Sequence, residues 1–390
     1  FHEHLMFKAT EELESGEFSK EVAINGGNDN AFTGPDYTGY FQTIARDRLE
    51  LVMKMEADRM TNLVLAEDEV LRERDVVLEE RSQRVDNNPS ARFAEQMNAA
   101  QFLHHPYGMP VIGWRHEIEA YTREDSLDFY RTWYAPNNAI LLVAGDIDAA
   151  ELKPLAEKYY GVIPAMDVPD RTRVKEPPQG AARTVTLRDP RVRQPSWLRS
   201  YLAPSFNTGL NGGESEHAYA LTVLADILGG TSTSRLYRSL VIEKKIATSA
   251  GAFYRGSALD LATFRVYGSP RPDVEMDELE AAIDAELKRL IDEPITEAEV
   301  ARATKRLVAE AVYARDSISG AVRSFGIALT TGRTVDDVEA WPDRIAAVTA
   351  DDVKAAVDAV LVHERSVTGQ LLPAEQPAPG GGVERAAISQ

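Results

Sequence analysis

The chain repeats itself, and a repeat of this length constrains the architecture before any single motif is read. "WRHEIEAYTRED" at Trp114–Asp125 lies over "WPDRIAAVTADD" at Trp341–Asp352. Trp114 matches Trp341, Ile118 matches Ile345, Thr122 matches Thr349 and Asp125 matches Asp352, each at an offset of 227. "LAEDEVLRERDVVLEE" (Leu65–Glu80) resembles "ITEAEVARATKRLVAE" (Ile295–Glu310) at an offset of 230. Two matches in the same order at nearly one offset point to two homologous halves. Thr122 with Asp125, and Thr349 with Asp352, have the form of capping boxes, so each pair is expected to open a helix. An apolar run follows each helix, "AILLVAG" in the first half and "RSVTGQLL" in the second, and both read as strands.

The Pro- and Gly-rich stretch "GVIPAMDVPDRTRVKEPPQGAA" reads as a linker. The expected organisation is an N-terminal half over 1–163, a linker over 164–181, a C-terminal half over 182–373 and a tail over 374–390. With Phe1 matching Thr231 and the second half starting near Ala182, about 49 residues are expected ahead of Phe1 in an intact first half. Amphipathic periodicity predicts helices near 46–63, 67–84, 91–102, 216–228, 276–292 and 297–315. Strand-like runs are "TGYFQTIA", "AILLVAG", "RTVTLRD" and "LATFRVYG". Gly26, Gly229 and Gly230 suit helix C-terminal caps. The class is α+β, with strands packed against helices in each half.

A formal net charge of −19 argues against nucleic-acid binding, which needs a basic face. There is no cysteine, so any metal must be held by His, Asp or Glu. No stretch approaches the roughly 20 apolar residues of a membrane span. These features suit a soluble enzyme acting on neutral or basic peptides, with cytoplasm and periplasm both open.

"FHEHLMFKAT" opens the chain with two histidines and a glutamate. On a helix His2 and His4 point about 200° apart and cannot share a metal. His4 could share one with a residue four positions upstream, immediately before Phe1, and Glu3 would then lie beside the pair as a general base does. In "LRERDVVLEERSQR", Glu73 and Glu80 are two helical turns apart on one face, with Val77 between them; Arg72, Glu79 and Arg81 point elsewhere. Acidic residues on the apolar side of a helix are costly unless paired or metal-bound. In the second half Glu73 aligns with Ala303, Val77 with Leu307 and Glu80 with Glu310, and "FHEHLM" aligns with the histidine-free "TSTSRL".

With these residues in place the chain resembles the pitrilysin/insulinase family, the inverzincins, whose signature is H-x-x-E-H on a helix. The opening fits if the residue before Phe1 is His. The family's third ligand is a Glu some seventy-odd residues on, and here Glu80 follows His4 by 76 residues inside "RERDVVLEE". Glu73 matches the family's additional acidic residue, which supports activity without binding metal directly. The similarity continues through "NGGNDNAFTGPDYTGY", "EADRM", "NNPSAR", "HPYGMPVIG" and "YAPNNA".

The resemblance implies two related α+β halves, each a mainly antiparallel sheet packed against helices, the first lacking its N-terminal strands here. It implies zinc-dependent hydrolysis of short or unfolded peptides in a chamber formed by two such chains. His4, Glu80 and the preceding His would hold one Zn²⁺, and Glu3 would be the general base. Asn30, Ala31 and Phe32 of "NAFT" would lie beside a peptide added as an extended strand. His105, in "HPYG", is expected to be structural.

One departure bears on partners. Many family members carry Arg and Tyr in the non-metal half, in a stretch like V-R-E-K-R-G-L-A-Y. Here "LVIEKKIAT" (Leu240–Thr248) puts Val241 and Thr248 at those positions. The chain is therefore similar to the zinc subunit of the two-subunit branch, typified by mitochondrial processing peptidase. It would form a heterodimer with a related subunit supplying Arg and Tyr; a homodimer without the pair is the alternative. A non-catalytic structural or peptide-holding subunit is the second reading.

Overall fold

The computed structural model describes residues 1–207, 216–293, 295–314 and 316–374. The tail expected over 374–390 lies, beyond Ala374, outside the described residues. The first half begins with a short helix, α1 (His2–Leu5), and α2 (Glu17–Ile24). A hairpin of β1 (Asn28–Thr33) and β2 (Thr38–Thr43) follows. Then come α3 (Leu49–Thr61), α4 (Glu67–Arg81) and α5 (Pro89–Gln101). The second half holds a five-stranded sheet of β3 (Arg183–Asp189), β4 (Ser196–Ala203), β5 (Ala247–Arg255), β6 (Ala262–Pro270) and β7 (Ser366–Pro373). Its order is β3-β7-β4-β6-β5, antiparallel except for the parallel pair β3 and β7.

Helix positions follow the apolar periodicity closely, with later helices over Glu216–Gly229, Met276–Asp292 and Glu297–Ala314. Both repeated capping boxes form. Thr122 N donates to Asp125 Oδ2 at 2.9 Å and Asp125 N returns to Thr122 Oγ1 at 3.2 Å; Thr349 and Asp352 show the same two distances. Each opens an 11-residue helix, Arg123–Trp133 and Ala350–Val360.

Two expectations fail for physical reasons. "AILLVAG" forms no strand, and Ile140 and Leu141 are exposed. By the 227 offset it corresponds to β7, which is paired on one side by β3 and on the other by β4. Among the described residues the first half has only the β1–β2 hairpin and no counterpart of those two strands beside this segment, and a strand without a ladder partner does not persist. Gly26 does cap α2 with a left-handed φ of +78°, but Gly229 and Gly230 are not left-handed. Gly229 is needed for close approach instead, since a Cβ there would lie 2.0 Å from Ala252 N on β5.

Three small cores and one large one hold these elements. Leu5 and Met6 beside α1 join Leu63, Leu65, Val70, Leu127 and Tyr130. Phe18 and Val22 of α2 meet Val52 and Met55 of α3. The second half's sheet carries the largest cluster, including Trp197, Leu221, Leu224, Phe264 and Val266. The halves meet where Phe93 and Met97 of α5 pack on Val367 and Leu371 of β7.

A polar knot adds to that seam. His105 Nε2 lies 3.1 Å from Asp260 Oδ2, Arg173 Nη1 donates to the same carboxylate at 2.9 Å, and Tyr107 O–H donates to Asp36 at 2.6 Å. His105 is buried there.

Gly369 lets α5 reach β7: a Cβ there would fall 2.3 Å from Met97 Sδ and 2.4 Å from the Phe93 ring. Gly369→Val is therefore expected to destabilise by about 2 kcal/mol, the scale of overpacking a filled core. A lowered denaturant midpoint with an unchanged slope would show it.

Candidate metal centre

The stripe that α4 turns inward is Val70, Glu73, Val77 and, contrary to expectation, Arg81, which follows Val77 by one turn and pairs with Glu95. Val70 and Val77 fill the core, so the Glu73 carboxylate is carried inside with them, 10% exposed. Buried charge requires partners, and the segment around α1 supplies two. His4 Nδ1 lies 2.8 Å from Glu73 Oε1, and Lys8 Nζ lies 2.6 Å from Oε2. Leu5 and Met6, both buried, anchor that segment so that His4 faces α4. Two turns along, Glu80 Oε2 stands 3.5 Å from His4 Nε2, and its other oxygen accepts from Arg84 at 2.5 Å.

The structure thus brings His4, Glu73 and Glu80 together on one imidazole. Glu3 lies beside them on α1, and its carboxylate accepts from the Thr33 hydroxyl at the end of β1. Asn30, Ala31 and Phe32 sit on β1, paired with Phe41, Tyr40 and Gly39 of β2. Asn30 Oδ1 accepts from Ala31 N at 2.8 Å, and Phe32 is exposed against Tyr37 and Phe41. The second edge of β1 has no ladder partner among the described residues.

His2 points the other way, as spacing requires. It is buried among Phe129, Tyr130 and Tyr134 with neither ring nitrogen hydrogen-bonded, and burial pushes its pKa down to about 4. A neutral imidazole in an aromatic pocket packs as an apolar ring.

Donors at Zn–N of roughly 2.0–2.1 Å and Zn–O of roughly 2.0–2.2 Å in a tetrahedron stand about 3.4 Å apart. The 3.5 Å between His4 Nε2 and Glu80 Oε2 fits that spacing. Glu73 on Nδ1 leaves Nε2 free to face Glu80, the arrangement that orients metal-binding imidazoles. Among the described residues no set of three His, Asp or Glu side chains converges as a complete metal site. The donors present fit two corners of one.

Several contributors are not singled out in the sequence, although Tyr40, Arg59 and Tyr134 lie in the quoted stretches "NGGNDNAFTGPDYTGY", "EADRM" and "YAPNNA". Lys8 follows His4 by four residues, one helical turn, the only spacing cue. Tyr40 O–H and Tyr134 O–H are 2.6 Å apart, both pushed up chiefly by burial, Tyr134 to about 12, with the Glu3 charge adding to both. Arg59, almost fully buried, lies over the Phe7, Phe18 and Tyr40 rings and bonds Glu56 at 2.7 Å.

The chain belongs to the M16 (insulinase) peptidase family. The family model described as "Insulinase (Peptidase family M16)" matches residues 1–114, and the one described as "Peptidase M16 inactive domain" matches 120–307. A Helicobacter pylori protein named "Zinc protease PqqE" is 33% identical over 301 residues, covering 76% of this chain and 66% of that protein. A Mycobacterium leprae protein named an uncharacterized zinc protease is 32% identical over 306 residues, covering 77% and 65%. The chain thus spans about two thirds of the length of these curated relatives. The crystal structure of a protease from Helicobacter pylori superposes with a TM-score of 0.87 at 29% identity, covering 95% of this chain and 88% of that one. No helix among the described residues is long and apolar enough to cross a membrane.

The His4–Glu73 pair makes metal-free stability depend on pH. The Glu73 hydrogen bond raises the His4 pKa above its ordinary 6.5, and the same bond lowers Glu73 from 4.5 to about 2. The His4 contribution is complete below 6.5 and disappears as pH rises through its raised value. The Glu73 contribution is complete above 4.5 and disappears as pH falls toward 2. With chelator present, His4→Ala is therefore expected to lower the unfolding midpoint more at about pH 5.5 than at about pH 8.5. Thermal unfolding of both proteins at the two pH values checks this.

Proposed function

We propose that the chain is the zinc-bearing subunit of an endopeptidase that hydrolyses short or unfolded peptides. The observation that carries this reading is the His4 imidazole held between Glu73 on Nδ1 and Glu80 on the Nε2 side. His4 and Glu80 would hold zinc together with a histidine at the position preceding Phe1. Zinc, when bound, supplies a Lewis acid that polarises the scissile carbonyl and acidifies water. Glu73 holds the imidazole ring in orientation and draws off its Nδ1 proton partially, raising the basicity of Nε2. Glu3 takes the proton of the attacking water and passes it to the leaving amine. The Thr33 hydroxyl keeps the Glu3 carboxylate beside β1. The open edge of β1 takes the peptide as an added strand, with Asn30, Ala31 and Phe32 along it.

The names of the relatives support zinc and proteolysis as the chemistry. A partner chain is supported by Val241 and Thr248. Val241 is buried, and the Thr248 hydroxyl donates to Ser269 O at 3.2 Å. Neither offers a cation or a phenol. A heterodimer in which a related subunit brings Arg and Tyr answers that lack; a homodimer is the alternative arrangement.

The test is peptide cleavage by the full-length protein with zinc, alone and with the related subunit added. Glu3→Gln is expected to keep its zinc and lose about 10³-fold or more in kcat, the scale of a general base. Glu73→Gln is expected to weaken zinc affinity by roughly 10–100-fold, as loss of an orienting carboxylate does. Normal cleavage by Glu3→Gln would overturn the base assignment. Full activity without the added subunit would discard the heterodimer. A full-length protein that neither binds zinc nor cleaves would put the peptide-holding reading first.

A further inference from the structure

Arg323 lies on the helix over Ile318–Thr330 in the second half and is exposed. Its guanidinium carbon is 5.7 Å from the centroid of the Phe32 ring on β1, and its charge acts on Tyr37 in the turn that joins β1 to β2. Among the described residues it has no carboxylate partner. Arg59 pairs with Glu56, Arg81 with Glu95 and Arg199 with Glu280, whereas Arg333, over the Phe206 ring, donates to the Asp337 carbonyl. In a chain with 62 acidic residues against 43 basic ones, carboxylates are abundant, and Asp36 acts on the same Tyr37 without forming an ion pair with Arg323. The ring holds the cation in place through the weak attraction of an exposed cation–π contact and leaves its N–H groups undirected.

The pleat of β1 gives this cation a consequence. Successive side chains alternate faces, so Asn30 and Phe32 share one face and Ala31 and Thr33 the other. Thr33 bonds Glu3, which places the catalytic groups on its face. Arg323 stands on the Phe32 face. A peptide added to the open edge of β1 sets one residue directly opposite Phe32, and that side chain projects on the same face as Phe32.

We propose that Arg323 sets a charge preference for the bound peptide, selecting an acidic side chain at the single substrate position opposite Phe32. This inference rests on the strand-addition reading of the site. It commits to a side chain within the peptide rather than to a C-terminal carboxylate, and amidated peptides separate the two.

The experiment uses the zinc-loaded full-length protein, with its related subunit if cleavage requires it. The substrates are C-terminally amidated, internally quenched peptides that differ only by Asp, Asn or Lys at one position, scanned along the sequence. One position is expected to show kcat/KM about two- to fivefold higher for Asp than for Lys, the scale of an exposed ion pair. High salt is expected to shrink that ratio. Arg323→Lys should retain the preference, and Arg323→Glu should reverse it at that position alone, which a merely structural strut would not do. No position with a preference, a preference that survives Arg323→Glu, or equal loss on every peptide in that variant would each overturn the inference while leaving the peptidase reading intact. Binding of the same peptides to Glu3→Gln, read by fluorescence anisotropy, covers the opposite case. Charge-dependent binding that follows residue 323, in a protein whose wild type cleaves nothing, would keep the inference and overturn the peptidase reading.

Discussion

A carboxylate on the buried stripe of α4 governs the geometry of the first half. Glu73 is carried inward because Val70 and Val77 on the same stripe must be buried. A charge taken out of water costs several kcal/mol unless it is paired. Two cationic or protonatable groups, His4 and Lys8, meet it, and both come from the segment whose Leu5 and Met6 are already in the core. The pairing fixes the register of α1 against α4, and with it the aim of His4 Nε2 at Glu80. That polar contact, together with Leu5 and Met6 in the core, sets how the chain's first helix packs and where His4 Nε2 points.

The second half shows the same scaffold without that demand. Glu73 is replaced by Ala303, which is buried, and Val77 by the partly buried Leu307; the stripe is apolar throughout and needs no imidazole. Glu310, at the place of Glu80, is exposed. Where polar groups do enter this half, they pair with each other, as Arg306 does with Asp226 and Arg235 with Glu299. The two halves share their capping boxes and the 11-residue helices these open, but one sets a carboxylate and an imidazole against each other where the other packs a large apolar core.

Much of this was legible in the sequence because it rests on local rules. The capping boxes, the helix periodicity and the seven-residue spacing of Glu73 and Glu80 are all properties of a single helix. What was not legible depends on distant partners. "AILLVAG" has strand composition, yet a strand exists only with neighbours, and β7 shows which two it would need. Gly229 reads as a cap, but its role is set by the backbone of β5, 23 residues away at Ala252. Tyr134 and Arg59 join the site from positions whose spacing to His4 or Glu80 carries no periodic signal, and Lys8 has only its single-turn spacing from His4. Thr33 meets Glu3 across 30 residues, a contact that only the folded hairpin creates.

That hairpin is the least self-sufficient element. Two strands alone are marginal in water, and β1 and β2 form a two-stranded sheet. Four anchors compensate, each at a different point. The Thr33 hydroxyl holds Glu3, and Gln42 reaches Glu56. Asp36 accepts from Tyr107, and the Arg59 guanidinium lies under Tyr40. Glu56 is also the partner of Arg59, so the strand end and the aromatic bed are tied to one carboxylate of α3. With the paired edge and the inner face fixed in this way, the open edge of β1 is held in strand geometry before anything is added to it. The residue that ends β1 is also the one that bonds the Glu3 carboxylate, so the position of that carboxylate depends on the hairpin keeping its strand geometry.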